Sequence, residues 1–187
     1  MERPNRVPRA YAGAADHAPK GVSGGMYCAE LTGEEITVFL VGMRVNRWRK
    51  LRSWVPAFAS MPKMLRELSN DPSQGFLGGR TFASGRVFLV VQYWRSVEDV
   101  GRYARSEAFS HLPMWRSFNG STARTGDVGV FHETYSMRAD QVETLYGNMP
   151  VFGLAAAQRH VPRGTHRRSA TVERMGQQEP EYVDATS

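Results

Sequence analysis

The sequence contains very little cysteine, with Cys28 as the single thiol in 187 residues. One thiol cannot form an intramolecular disulfide, and it cannot supply a cysteine cluster for a metal. We therefore expect a reducing, cytoplasmic environment. No apolar run reaches the roughly 18 residues of a membrane span, and no apolar segment of a secretory signal follows the N-terminal arginines. On this basis we expect no membrane partner.

Common cofactor-binding motifs are also missing. Gly75, Gly78 and Gly79 do not open a phosphate-binding helix, and no Walker, Rossmann, zinc or serine-hydrolase pattern occurs. A nicotinamide or flavin domain is therefore disfavoured.

The formal charge is +6, and basic residues concentrate around Trp48 and Trp54. Arginine interleaved with tryptophan can neutralise phosphates and stack on bases. Such a run is more often a solvated strand end and loop, so nucleic acid is not the expected partner. The run consists of Arg44, Arg47, Arg49, Lys50 and Arg52.

Apolar periodicity is confined to the middle of the chain. Residues 1–33 are rich in Ala, Gly and Pro, and residues 159–187 are polar. Neither segment has the apolar surface to offset about 1–2 kcal/mol of backbone entropy per ordered residue. The sequence predicts one domain at residues 34–158 between two disordered tails.

The middle of the chain predicts the element order β-α-β-β-α-β. A β-branched run from Glu35 to Asn46 predicts the first strand, and Ser53 is the expected cap of a helix that Pro62 kinks or splits. Two strands flank the turn at Ser84-Gly85. Ser96 with Asp99 predicts a helix start, and Ser110 predicts the start of a further short helix. Residues 126–137 complete the set as a strand.

This order is typical of an α+β, ferredoxin-like fold, in which helices cover one face of an antiparallel sheet. The first and third strands are apolar at both alternating sets of positions, whereas a sheet covered on one side should carry polar residues on the other. A second subunit is the expected cover, pairing as a dimeric α/β barrel. Val90 is assigned to the outward set.

The last strand and the short helix before it carry the candidate catalytic residues. Alternation places His132 on one face and Glu133 with Tyr135 on the other, so His132 and Glu133 cannot form a pair. His132 fits a general base, a haem or metal ligand, or a core histidine. Glu133 fits a proton shuttle or an ion pair with Arg44 or Arg95. His111, at the start of the short helix, is a further candidate base.

Aromatic and polar side chains near these residues are the candidate substrate contacts. Trp94 and Trp115 offer flat walls for an aromatic ligand, unless they are plain core residues. Tyr93 and Gln92 offer hydrogen-bond donors, and Arg44 offers a cation.

Residues from about Thr37 to Leu154 resemble a monooxygenase-like family of bacteria and fungi in the dimeric α/β-barrel superfamily. The likeness rests on several short motifs. They are Gly42 to Trp48, Met61 to Leu65, Gly75 to Gly78, Val91 to Ser96, His111 to Asn119, Gly126 to Gly129, His132 to Tyr135 and Tyr146 to Pro150.

The resemblance implies a fold shared by cofactor-independent monooxygenases, haem-dependent aldoxime dehydratases and non-oxidative cyclases, so it specifies the fold better than the reaction. The main hypothesis is a monooxygenase-like oxidoreductase for a hydrophobic, aromatic or polycyclic small molecule in biosynthesis, with no cofactor. A base, His132 or His111, would remove a proton, and Tyr135, Tyr93 or Gln92 would bind the oxyanion.

Two alternatives stay open. One is a haem enzyme of the aldoxime-dehydratase or peroxidase type, with His132, His111 or His160 as axial ligand. The other is a non-catalytic homodimer that binds a ligand or assists a biosynthetic partner.

Overall fold

A computed structural model of the chain describes residues 6–106, 123–163 and 182–184. The chain divides into two compact units, one made of Met1–Glu34 with Arg138–Ser187 and the other of Glu35–Met137. In chain order the strands and helices are β1 (Arg6–Pro8), α1 (Ala14–His17), β2 (Ser23–Glu30), β3 (Glu35–Val45), α2 (Leu51–Asn70), β4 (Phe76–Ser84), β5 (Val87–Trp94), α3 (Val97–Arg105), β6 (Val128–Arg138), β7 (Tyr146–Met149), α4 (Gly153–Ala157), β8 (Arg159–Pro162) and β9 (Tyr182–Asp184).

The unit at Glu35–Met137 contains a four-stranded sheet in the order β4-β5-β3-β6. Strand β5 runs antiparallel to both β3 and β4. The chain passes through α2 between β3 and β4, and through α3 between β5 and β6. This topology confirms the predicted α+β, ferredoxin-like fold.

Turn and cap residues in the sequence correctly predicted where most of the helices and strands begin or end. The hairpin between β4 and β5 turns at Gly85, whose φ of 53° lies in the region that glycine tolerates best. The Ser96 hydroxyl accepts a hydrogen bond from the Asp99 backbone N–H at 3.2 Å and caps α3. The predicted helix at Ser110 lies outside the described residues.

Helix α2 differs from the predicted helix in its first residue and in its continuity at Pro62. It begins at Leu51, before the expected Ser53 cap, and it continues through Pro62 to Asn70 without being split. The Ser53 hydroxyl instead donates to the Asp127 carboxylate at 2.8 Å. Packing of α2 against the sheet, through Trp54, Ala57 and Leu68, offsets the backbone hydrogen bond that proline removes.

The two faces of this sheet have different surroundings. Helices α2 and α3 pack on one of them, the helix-covered face, where Leu68, Trp94, Val100 and Tyr103 form one core cluster and Met43, Val45 and Val128 form another. We call the face turned away from both helices the second face. Along β5, Val90, Gln92 and Trp94 are buried while the intervening Val91 and Tyr93 are half-buried. Val90 therefore belongs to the core, and its assignment to the outward set was wrong.

The other unit contains a three-stranded antiparallel sheet in the order β7-β2-β8 and a separate pairing of β1 with β9. Met26, Leu154 and Ala155 are its buried apolar residues among those described. Strands β2 and β8 lie within the segments predicted as disordered tails. Strand β2 contains adjacent glycines and β8 has only four residues, so both strands give a weak sequence signal. The tail boundaries stay a prediction.

Candidate functional site

His132 lies near the middle of β6 on the helix-covered face, and it is exposed. Its ring contacts the Phe39 ring of β3, with centroids 5.8 Å apart and planes tilted by 40°. Within the described part of the chain, the imidazole makes no hydrogen bond or ion pair. A solvent-accessible imidazole beside an apolar ring can take up a proton or bind a metal.

Gln92 shares the helix-covered face with His132. It stands opposite Phe39 in the β3–β5 register, so Gln92, Phe39 and His132 form a row across three neighbouring strands. The buried Gln92 side chain accepts a hydrogen bond at Oε1 from Trp94 Nε1 at 3.0 Å. This bond fixes the amide orientation and leaves the Gln92 amide nitrogen as the donor.

Trp94 is fully buried, at 0% exposure. Its indole packs against Phe76, at 5.4 Å between centroids, and against Tyr103, at 5.7 Å. No face of the ring is open to a ligand in this conformation. Trp94 is therefore a core residue in this structure. This was the alternative to its predicted role as a flat surface that contacts the substrate.

Glu133 and Tyr135 meet on the second face. The Tyr135 hydroxyl donates to Glu133 Oε2 at 2.6 Å. This hydrogen bond and the nearby negative charge raise the pKa of Tyr135, because both favour the neutral phenol. The expected separation of His132 from Glu133 is confirmed, because His132 lies on the helix-covered face.

The ion pair of Glu133 with Arg44 or Arg95, which was the alternative to a proton shuttle, does not form among the described residues. Arg95 pairs with Asp99 at 3.0 Å, and Arg44 hydrogen-bonds to Asn46. Arg44 and Tyr93 lie on the second face, as the β3–β5 register shows. The predicted oxyanion donors are therefore divided: Gln92 shares a face with His132, whereas Tyr93 and Tyr135 do not.

Three other predicted residues do not join this row in the described part of the chain. His111 and Trp115 lie outside the described residues. His160 belongs to the other unit, where its ring stacks on Tyr27 with centroids 4.3 Å apart. Burial lowers the pKa of His160, and its Nε2 is enclosed. That nitrogen is not open to a haem iron in this conformation.

Asp127 forms a junction that the sequence reasoning missed. Its side chain, 5% exposed, accepts hydrogen bonds from Arg47 Nη1 at 2.7 Å and Ser53 Oγ at 2.8 Å. Its backbone oxygen accepts from the N–H groups of Asn46 and Arg47. Hydrogen bonding to Arg47 and then Ser53 lowers the pKa of Asp127. The junction joins the end of β3, the start of α2 and the start of β6.

No group of three or more His, Cys, Asp or Glu side chains that could hold a metal occurs among the described residues. In the same part of the chain, no helix is both long and apolar enough to cross a membrane.

Residues 36–154 match the model of the Monooxygenase af470-like family. The match covers more than half of the chain, so the protein belongs to this family. Comparison with curated protein sequences finds no relative that matches.

Several solved structures are similar to this chain. An aldoxime dehydratase (OxdRE) crystallised with butyraldoxime has a TM-score of 0.52 at 18% identity, over 75% of this chain and 40% of that one. This chain thus spans less than half of that protein, and the likeness shows the fold alone. Rv0793 from Mycobacterium tuberculosis has a TM-score of 0.40 at 13% identity, over 54% of this chain and 92% of that one. SnoaB from Streptomyces nogalater, a cofactor-independent oxygenase, has a TM-score of 0.38 at 14% identity, over 57% of this chain and 95% of that one.

Proposed function

We propose that this chain is an oxygenase that acts on a hydrophobic, aromatic or polycyclic small molecule, with His132 as the general base. Its family supports monooxygenase-type oxidoreductase chemistry. The observation that carries the assignment of His132 is its exposed imidazole, held against Phe39 and without a hydrogen bond to any described residue. The Phe39 ring supplies an apolar surface next to the base.

In the proposed reaction, His132 removes a proton from an activated carbon of the substrate. The resulting carbanion donates electrons to molecular oxygen, and a carbon–oxygen bond forms. The proton returns from His132 to give a hydroperoxide, and loss of water then leaves a carbonyl group. Oxygen is the oxidant, with one atom in the product and one in water, so no further reductant is needed.

Gln92 is the proposed oxyanion donor on the helix-covered face. The Trp94 indole holds its amide, so its nitrogen is preorganised rather than free to rotate. Neighbouring strands lie about 4.8 Å apart, which separates Gln92 from His132 by roughly 10 Å across the row. A ligand of two or three fused rings spans this distance.

The proposal includes a homodimer in which a second copy covers the second face. That face carries an apolar set formed by Val38, Leu40, Leu89, Val91 and Phe131. Phe131 lies over Gly42, where a Cβ would come within 2.7 Å of the ring. An apolar sheet face of this kind is a standard interface between identical subunits.

Oxygen consumption with anthrone, a tricyclic compound with an acidic carbon, tests the proposed activity. We expect the wild-type protein to accelerate oxygen uptake and His132→Asn to reduce this rate by about 100-fold or more. His17→Asn, which changes an exposed histidine in the other unit, should retain the rate. Equal rates for His132→Asn and wild type would refute the assignment of His132.

Wild type, His132→Asn and His160→Asn together test the haem alternative, because the His132 side chain is exposed whereas Nε2 of His160 is enclosed. Haem iron would supply Lewis-acid or redox chemistry at His132. Titration with haemin should then give a saturable Soret shift in wild type and in His160→Asn, and none in His132→Asn. Absence of a shift in wild type, together with oxygen uptake, would support the cofactor-free reaction.

A further inference from the structure

The exposed side of α2 carries an apolar stripe. Leu51, Val55 and Phe58 lie at positions i, i+4 and i+7, so they share one side of the helix. They are 56%, 42% and 40% exposed. The other side of α2 packs on the sheet through Trp54 and Ala57. Phe58 lies at the edge between the two sides, because its ring also contacts Phe88 of β5, with centroids 4.9 Å apart. Helix α2 therefore carries exposed apolar side chains beside its core-facing side.

Basic side chains surround the start of this stripe. Arg49, Lys50 and Arg52 are exposed, and none of them makes an ion pair within the described part of the chain. The sequence has no Asp or Glu between Glu35 and Glu67. The first turn of α2 also lacks an acidic residue, so the positive end of the helix dipole adds to the local charge.

Trp48 stands at the same end of the stripe, and its position is fixed. It is 37% exposed. Its ring makes edge contacts with Trp54 at 5.3 Å and with Phe88 at 6.3 Å, and its carbonyl accepts a hydrogen bond from Trp54 Nε1 at 3.0 Å. A held aromatic ring beside cations and aliphatic side chains is typical of helices that lie in the headgroup region of a bilayer.

We propose that this surface, formed by Trp48, Arg49, Lys50, Leu51, Arg52, Val55 and Phe58, docks on an anionic lipid bilayer. Phosphate and carboxylate headgroups complement its unpaired positive charge, and the acyl region accepts the apolar stripe. The sequence predicted no membrane partner because no span is present, but surface attachment needs no span.

Two other occupants fit less well. A second copy placed against this surface by a two-fold axis would bring the same cations together, which costs free energy. A nucleic acid would pair with the cations and stack on Trp48, but it would leave the aliphatic side chains of Leu51 and Val55 without an apolar partner.

Vesicle co-sedimentation with the full-length protein tests the proposal. We expect binding to phosphatidylcholine vesicles that contain about 30% phosphatidylserine, and little binding to phosphatidylcholine alone, because the cations require an anionic surface. Brominated lipids should quench tryptophan fluorescence in the wild type. Trp48→Phe should reduce this quenching without abolishing it, since Trp94 is fully buried but Trp54 lies 5.3 Å from Trp48 between ring centroids and keeps its own fluorescence.

Paired variants separate charge from apolar contact. Arg49→Gln with Arg52→Gln should lower vesicle binding by roughly tenfold or more, whereas Lys20→Gln with Arg105→Gln removes the same charge elsewhere and should not. Leu51→Ser should also weaken binding, with an unchanged melting temperature, since its side chain is exposed. No binding to anionic vesicles, or equal binding by all these variants, would overturn the proposal. Binding to a DNA duplex but not to vesicles would identify a nucleic-acid surface instead and overturn it too.

Discussion

The two faces of the four-stranded sheet are formed by the same strands but differ in how deeply their side chains are buried. On the helix-covered face, Val90, Gln92 and Trp94 of β5 are buried. On the second face, the residues between them are half-buried, although they are equally apolar. Hydrophobic character alone therefore does not tell which side of a strand builds the core. That depends on where the helices pack.

Replacing adjacent valines of β5 by aspartate gives the sharpest contrast between the faces. Val90→Asp places a charge in the core, where Val90 is 2% exposed, and we expect a loss of stability of about 4 kcal/mol or more. Val91→Asp changes the second face, so the subunit should stay folded while the proposed dimer dissociates. Circular dichroism melting and sedimentation velocity measure the two effects.

Two results for the Val91→Asp variant would contradict this prediction. If Val91→Asp unfolds the protein as Val90→Asp does, the second face is part of the core of a single chain. If Val91→Asp stays dimeric at micromolar concentration, the second face is not the dimer interface.

Asp127 should contribute more to the thermal stability of the protein than an exposed carboxylate does, because its hydrogen bonds connect the start of α2 to the end of β3 and the start of β6. Asp127→Asn keeps the shape but loses the charge that Arg47 contacts, and we expect the melting temperature to fall by roughly 3–8 °C. Asp16→Asn, which changes an exposed carboxylate, is the matched control and should have little effect.

The difference in stability between wild type and Asp127→Asn should depend on pH. The folded pKa of Asp127 lies below its usual value, so its stabilising effect is complete above the unfolded pKa of about 4 and is lost as the pH falls through the folded pKa. Wild type should therefore lose stability more steeply than Asp127→Asn below about pH 4. Parallel melting curves for the two proteins over this range would show that the junction does not depend on the charge.

The smallest expected effect is on the second face, at the Glu133–Tyr135 hydrogen bond. Glu133→Gln removes the negative charge that raises the pKa of Tyr135. The phenol should then ionise at lower pH, and the melting temperature should hardly change because both side chains are exposed. Absorbance at alkaline pH, compared with Glu133→Gln/Tyr135→Phe, isolates this tyrosine. An unchanged titration would mean that the two side chains do not interact in solution.

Sequence patterns found the elements of the larger unit but not all of its contacts. The opposite orientation of His132 and Glu133 follows from strand alternation, which is local and strong. The Phe39 contact with His132 was not predictable, because the two residues lie far apart in sequence on neighbouring strands. Asp127 belongs to the motif Gly126 to Gly129, but this motif does not reveal its partners Arg47 and Ser53, which the sequence places in a basic run and at a helix cap.

The amino-acid sequence by itself determined the ferredoxin-like order of elements, the hairpin at Gly85 and the capped start of α3, since period, turn and cap signals act over a few residues. Only the tertiary structure decided that Val90 and Trp94 face the core, that Gln92 rather than Tyr93 or Tyr135 shares a face with His132, and that Ser53 binds Asp127. These outcomes depend on which side of the sheet the helices cover and on contacts between distant segments, and no local pattern encodes that choice.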